Sequence, residues 1–98
     1  MPLDGAPILI VESEIDAFIA SLQQALEAAG GESVIARNGS EAEQQCDQLQ
    51  FAAALVSAEH GAIEDDLSAR GLPVLVYSRT STPRAIIAAL QQLLEMGG

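Results

Sequence analysis

The stretch that decides the fold lies near the start of the chain and reads Pro7-Ile8-Leu9-Ile10-Val11-Glu12-Ser13. Its apolar run has no polar interruption, which is typical of a strand buried on both faces of a parallel sheet. The run then ends in an acid and a serine. A second run of this kind, residues 53–57, ends in Ser57. Two buried strands that each end in polar residues predict a sheet with a functional edge.

Strand and helix patterns alternate along the rest of the chain. We predict strands over residues 7–11, 33–36, 53–56 and 74–77, and helices over residues 14–29, 41–49, 62–69 and from residue 83 onward. Such alternation predicts parallel strands joined by right-handed crossovers. The predicted fold class is therefore α/β, with a flavodoxin-like parallel sheet truncated to four strands and helices on both faces. In that strand order the carboxyl ends of the strands meet at one edge, which would hold Glu12, Ser13, Ser57 and Ser78.

Polar residues before each helix indicate how the helices begin. We expect Ser13, with Asp16 three residues later, to cap the first helix. The pair Ser40 and Glu43 has the spacing of a capping box for the second helix. Thr82 is expected to cap the last helix, whose first residue would be Pro83.

Composition limits the possible functions. The 98 residues predict one domain, with residues 1–6 as a leader and 97–98 as a tail, and 49% of them are hydrophobic. A net charge of −10, with four arginines and no lysine, argues against binding nucleic acid. No signal peptide or membrane span is visible. The single cysteine, Cys46, fits a reducing cytoplasm and is interpreted as an ordinary apolar helix residue.

Four segments resemble, in the same order, the receiver domain of response regulators, the CheY-like family that accepts phosphate from a histidine kinase. Residues 8–14 are similar to the first strand and its acids, and residues 36–42 to the link into the second helix. Residues 51–57 resemble the strand that carries the phospho-acceptor, and residues 73–78 resemble the fourth strand, with Ser78 at the switch position. The resemblance implies a signalling module of the two-component type.

The residues that receiver chemistry needs are replaced. That chemistry uses carboxylates to hold a divalent cation, an aspartate to accept the phosphoryl group and a lysine to steady it. Here Ser57 stands at the acceptor position, Ser13 stands beside Glu12, and the chain has no lysine. The resemblance therefore implies a degenerate receiver without catalytic residues, metal site or cofactor. Its vestigial active-site positions would be Glu12, Ser13, Ser57 and Ser78.

His60, beside Glu59, could suggest a metal ligand or a catalytic base. No third ligand and no activated nucleophile stands at a suitable spacing in the sequence. We therefore interpret His60 as a solvated loop histidine.

The chain is also shorter than a complete receiver, because only one helix follows the fourth strand. That helix could pack as the fourth receiver helix or replace the fifth, and its first residues favour the second alternative. Either arrangement leaves strand four as an open sheet edge, which invites pairing. We predict an interaction surface and a homodimer through Tyr77, Ile86, Ile87, Leu90, Leu93 and Leu94.

These observations predict a cytoplasmic, phosphorylation-independent pseudo-receiver that is not an enzyme. It would present a fixed surface to protein partners, namely a histidine kinase, a regulator or a second copy of itself, and it would bind neither nucleic acid nor membrane. Two alternatives stay open. The chain could be a receiver-like domain of a larger sensor kinase or regulator, or a small enzyme or phosphocarrier that uses the same crevice.

Overall fold

A computed structural model describes residues 5–97 of the chain. The elements follow each other in the order β1 (Pro7–Val11), α1 (Ala17–Ala28), β2 (Glu32–Ala36), α2 (Gly39–Gln48), β3 (Ala53–Ser57), a 3₁₀ turn (Ala58–His60), α3 (Ile63–Ala69), β4 (Val74–Tyr77) and α4 (Pro83–Gly97). The predicted alternation of strands and helices is confirmed. None of the helices in this part of the chain has both the length and the apolarity needed to span a bilayer.

The four strands form one parallel sheet in the order β2-β1-β3-β4. Ile10 pairs with Ile35 on one side and with Leu55 on the other, so β1 lies in the middle of the sheet. β3 then pairs with β4 from Ala54 to Ser57. The predicted flavodoxin-like order is confirmed, and β4 is an outer strand of the sheet.

Alternate side chains of the central strands enter two separate cores. Ile8 and Ile10 pack against α1 and α4 on one face of the sheet. Leu9 and Val11 pack against α2 and α3 on the other face. Side chains of successive strand residues point to opposite faces, which explains why β1 must be apolar throughout.

Helix α4 packs beside α1 on the same face of the sheet. A helix leading by a right-handed crossover into a further strand beside β4 would lie with α2 and α3 instead. The last helix therefore takes the position that the fifth helix has in a receiver. This placement resolves the alternative that the sequence left open.

The buried face of α4 corrects the predicted interaction surface. Ile86, Ile87 and Leu90 are buried against α1 and the sheet, and Tyr77 is buried beside them. These four side chains fill the chain's own core, so their assignment to a surface is wrong. Only Leu93 and Leu94 keep partial exposure. A dimer contact would therefore have to use Leu93, Leu94 or residues outside the predicted set.

Two helices are capped by other residues than the sequence predicted. Helix α1 begins at Ala17 and is capped by Asp16, whose Oδ1 accepts hydrogen bonds from the backbone N–H of Phe18 (3.1 Å) and Ile19 (3.3 Å). Ser13 is not the cap, because it lies three residues before the Asp16 cap and its hydroxyl contacts His60.

Helix α2 is capped by Asn38, whose Oδ1 accepts from the Glu41 N–H at 2.9 Å. Ser40 and Glu43 already lie inside that helix, so the predicted capping box is wrong. The Thr82 cap is confirmed, since its hydroxyl accepts from the Ala85 N–H at 3.1 Å.

The ends of the chain are described only in part. Residues 1–4 of the predicted leader and residue 98 of the predicted tail lie outside the described residues. Ala6 belongs to the fold, because its carbonyl accepts from the Glu32 N–H at 3.0 Å and its side chain packs on the core. Gly97 is the last residue of α4.

The two candidate caps of α2 can be compared directly by mutation. We expect Asn38→Ala to lower the free energy of unfolding by about 1 kcal/mol, because it removes the acceptor for a terminal N–H. Ser40→Ala is the matched control and should change stability by less than about 0.5 kcal/mol. Urea denaturation followed by circular dichroism measures both. A larger loss in Ser40→Ala would contradict the assignment of the cap.

Candidate functional site

The four predicted site residues all lie at the carboxyl edge of the sheet. Glu12 and Ser13 follow β1, Ser57 ends β3, and Ser78 follows β4. Glu12 and Ser57 are buried, whereas Ser13 and Ser78 are exposed. The strand order brings the residues to one edge, but their side chains make separate contacts.

Glu12 is a carboxylate with no solvent exposure. Its Oε1 accepts a hydrogen bond of 2.9 Å from the Tyr77 hydroxyl and lies 3.3 Å from Nη2 of Arg79. Its Oε2 accepts from the Glu14 N–H at 3.2 Å. A buried carboxylate is strongly destabilising without such partners, so these three contacts offset the cost of burying Glu12.

Arg79 reaches from the β4–α4 loop to the β1–α1 loop. Its Nη1 donates to Asp16 Oδ2 at 2.8 Å, and its Nη2 donates to the Glu14 carbonyl at 2.6 Å. The Glu14 carboxylate lies 3.7 Å from the same nitrogen. The planar guanidinium thus holds two loops together through two hydrogen bonds and the nearby carboxylates, which a point charge such as an ammonium would do less well.

Two stacked aromatic rings pack against the guanidinium of Arg79. The guanidinium carbon of Arg79 lies 5.2 Å from the centre of the Phe18 ring, within cation–π distance. Phe18 in turn stacks on Tyr77, with ring centres 6.2 Å apart and planes 20° from parallel. We refer to Glu12, Asp16, Phe18, Tyr77 and Arg79 as the arginine latch.

The ionisation of the latch follows from its contacts. Burial, and then the hydrogen bond to Glu12, raises the pKa of the Tyr77 hydroxyl far above its usual range, so Tyr77 remains a donor. The hydrogen bond from Arg79 lowers the pKa of Asp16, which remains an acceptor. The reciprocal contact with Asp16 raises the pKa of Arg79.

The three serines make contacts outside the latch. Ser13 Oγ lies 3.2 Å from Nε2 of His60, which the sequence analysis did not anticipate. Ser57 Oγ accepts a long hydrogen bond of 3.4 Å from the backbone N–H of Glu59 in the 3₁₀ turn. Ser78 Oγ bonds to Thr80 at 2.8 Å. A switch-type role for Ser78 therefore has no geometric support in this arrangement.

The residues at the edge do not fit the divalent cation that a receiver holds there. A hard cation needs several oxygen ligands, preferably carboxylates. Glu12 supplies one carboxylate, and the guanidinium of Arg79 already lies against it. Within residues 5–97 no three His, Cys, Asp or Glu side chains are grouped so that they could hold a metal ion. The positive charge beside Glu12 is therefore supplied by the guanidinium of Arg79.

Neither Arg79 nor the hydrogen bond of Tyr77 to Glu12 was predicted from the sequence. A signal was present, because Arg79 lies two residues after the end of strand four and therefore had to lie near the same edge as Glu12, Glu14 and Asp16. One arginine beside three acids at a common sheet edge predicts an ion pair. Which acids it bonds depends on loop conformation, which spacing does not reveal.

Cys46 lies away from this edge and behaves as predicted for an apolar helix residue. It packs partly buried on the α2–α3 side of the core, and burial raises the pKa of its thiol. It borders a groove of about 390 Å³ that includes Phe51, Arg70 and Leu72, at the amino ends of β3 and β4. A raised pKa keeps the thiol protonated and unreactive.

Comparison with solved structures identifies the same fold in other proteins. A protein from Chloroflexus aurantiacus J-10-fl, assigned as a response regulator, superposes with a TM-score of 0.80 at 18% identity, over 97% of this chain and 99% of that chain. A sensor protein from Polaromonas sp. JS666 superposes with a TM-score of 0.79 at 18% identity, over 95% and 98%. The fold is therefore receiver-like. No family model and no curated protein matches the chain.

The latch predicts a specific dependence of stability on pH. Asp16 has a lowered pKa in the folded chain, so it adds stability that is fully present above its ordinary value of 3.8 and is lost as pH falls through the lower folded-state pKa. We expect Arg79→Gln to destabilise the protein near neutral pH. The difference from the wild type should shrink between about pH 5 and about pH 2.

Urea denaturation at a series of pH values measures this difference. Arg84→Gln, which removes an exposed arginine of α4, is the matched control and should follow the wild type at every pH. A loss of stability in Arg79→Gln that is constant down to pH 2 would contradict the role given to Asp16.

Proposed function

We propose that the chain is a pseudo-receiver, a regulatory module that binds protein partners without being phosphorylated on an aspartate. The observation that carries this proposal is the arginine latch. Arg79 lies 3.3 Å from the buried Glu12 carboxylate, at the edge where a receiver would gather its cation and phosphoryl group. A covalently attached cation is always present, so the loops that it joins do not depend on a signal arriving at this site.

The residue types of the site support the same proposal. An aspartate is needed to form an acyl phosphate, and Ser57 stands at that position. A serine hydroxyl is a weak nucleophile without an adjacent base, and within residues 5–97 the hydroxyl of Ser57 has only a backbone N–H as its hydrogen-bond partner. The chain has no lysine to stabilise a bound phosphoryl group.

The partners in this proposal are proteins, namely a histidine kinase, a regulator or a second copy of the chain, with a homodimer as the working form. The net charge of −10 opposes binding to nucleic acid and to acidic membrane surfaces. The module needs no cofactor, is not an enzyme, and acts in the cytoplasm, where a single unpaired cysteine is stable. It belongs to signalling of the two-component type.

A receiver-like domain within a longer sensor kinase or regulator is an alternative form of the same proposal. Of the two similar structures described above, one is assigned as a response regulator and the other is a sensor protein. Both roles use receiver-like folds, so the fold is compatible with either. In both cases the latch gives the domain a fixed shape for partner binding.

The contact of Ser13 with His60 supports a second candidate, a small hydrolase. A hydroxyl 3.2 Å from an imidazole nitrogen has the geometry of a nucleophile and its base. Such a pair works best when a third group orients the imidazole. Among residues 5–97 no hydrogen-bond partner is found for the second ring nitrogen of His60. The pseudo-receiver is therefore the better-supported proposal.

A phosphodonor experiment tests the main proposal. We expect no covalent phosphate on the chain after incubation with acetyl phosphate and Mg²⁺, as measured by intact mass. The variant Ser13→Asp with Ser57→Asp restores both carboxylates but keeps Arg79. It should bind Mg²⁺ no better than the wild type in calorimetry, because the guanidinium already neutralises Glu12.

Removing the arginine from that double variant completes the design. Adding Arg79→Ala should allow Mg²⁺ to bind, whereas adding Arg84→Ala, the control, should not. Phosphate on the wild-type chain would overturn the proposal. Mg²⁺ binding by the double variant with Arg79 intact would show that the latch does not replace the cation.

Ester hydrolysis tests the second candidate. We expect the wild type, Ser13→Ala and His60→Ala to hydrolyse p-nitrophenyl acetate at equal rates, because the proposed module is not an enzyme. General base catalysis typically contributes ~100-fold or more. A loss of that size in both variants, with unchanged circular dichroism spectra, would favour the hydrolase.

A further inference from the structure

The outer edge of β4 carries backbone groups that the fold leaves without partners. The Pro73 carbonyl accepts from the Ala54 N–H at 2.9 Å, so residues 73, 75 and 77 direct their backbone groups toward β3. By strand alternation, the N–H and C=O groups of Val74 and Val76 point away from the sheet. Within the described part of the chain these outward groups have no hydrogen-bond partner. An open strand edge of this kind is a template for pairing.

Helix α4 carries a second apolar stripe beside that edge. Residues 85, 89, 93 and 96 recur at three- and four-residue spacing, adjacent to the helix face that is buried in the core. Ala85 and Ala89 line a groove of about 270 Å³ with Leu75 and Val76 of β4. Met96 is 85% exposed. We refer to Ala85, Ala89, Leu93 and Met96 as the α4 stripe.

The charge of this region favours a second copy of the chain as its partner. Two molecules that each carry a net charge of −10 repel each other, and this repulsion at the contact is weakest where the contact surface itself carries no charge. No residue from Val74 to Ser78 is charged, and neither is any residue of the α4 stripe. The small side chains of Ala85 and Ala89 also allow a second helix to approach.

We propose that two copies pair antiparallel through β4, around a twofold axis at Val76, to form one continuous eight-stranded sheet. Val76 of each copy then lies opposite Val76 of the other, and Val74 lies opposite Ser78. This register places the outward N–H and C=O groups of one edge opposite those of the other. The Ser78 carbonyl already accepts from the Ser81 N–H at 3.0 Å, and its second lone pair would accept from the Val74 N–H of the other copy. The proposal rests on the homodimer of the proposed function and names its contact surface.

The α4 stripe is needed to complete this interface. A stable interface buries about 800 Å² on each partner, and a four-residue strand edge is too short to supply that area. A twofold axis perpendicular to the sheet places both α4 helices on the same side. The two stripes then lie near each other across the axis, where Leu93 and Met96 become less exposed to solvent.

Light scattering over a concentration series, with hydrogen exchange of the Val74 and Val76 amides, tests this proposal on the whole chain. We expect a mass of twice 10.2 kDa for the wild type, with both amides protected in the dimer and exchanging rapidly after dilution. Val76→Lys places two like charges at the axis and should weaken the dimer ~10-fold or more.

Two further variants secure the interpretation. Ala85→Lys changes an exposed helix residue, so it should fold normally and still weaken the dimer. Gln24→Lys adds the same charge on the exposed side of α1 and should leave the dimer unchanged. Circular dichroism checks that each variant is folded.

The outcomes separate this inference from the proposed function. A dimer that resists Val76→Lys, or one whose Val74 and Val76 amides exchange freely, overturns the β4 contact but leaves the homodimer intact. A monomer at every concentration overturns both the contact and the homodimer. The phosphodonor experiment tests the pseudo-receiver proposal independently of either result.

Discussion

The fold at the carboxyl edge of the sheet depends on one requirement, which is that a fully buried carboxylate must be matched by donors and by positive charge. Glu12 meets it through the Tyr77 hydroxyl and the guanidinium of Arg79. Those two partners come from the end of β4 and from the loop that follows it. The pairing therefore joins the first and last strands of the chain, although they are not neighbours in the sheet.

The cation beside Glu12 is a side chain of the same molecule. It is therefore present in every folded copy of the chain. A divalent ion or a phosphoryl group would come and go with conditions in the cell, and loops that depend on it would have two states. Arg79 instead bonds both Asp16 and the Glu14 carbonyl whenever the chain is folded. For the proposed pseudo-receiver this would mean regulation by the supply of a partner rather than by chemistry in the crevice.

Most of the fold could be predicted because it rests on local patterns. The apolar runs at β1 and β3 specify buried strands, and alternation with helices limits the topology to a few choices. The latch is different, since Arg79 and Asp16 are 63 residues apart and meet only after the sheet has formed. The surface predicted at Ile86, Ile87 and Leu90 was wrong because apolar periodicity cannot distinguish a helix face that enters the core from one that binds a partner.

Tyr77 has a further consequence, since it is the only tyrosine in a chain that has no tryptophan. Apart from the weak emission of the phenylalanines, the ultraviolet fluorescence of the protein therefore comes from the Tyr77 ring. The hydroxyl of that ring donates a hydrogen bond to the Glu12 carboxylate. A carboxylate acceptor quenches tyrosine emission, so any event that separates the two groups would brighten the protein. The molecule thus carries an intrinsic optical reporter at the centre of its candidate site, with no label to disturb the packing around it.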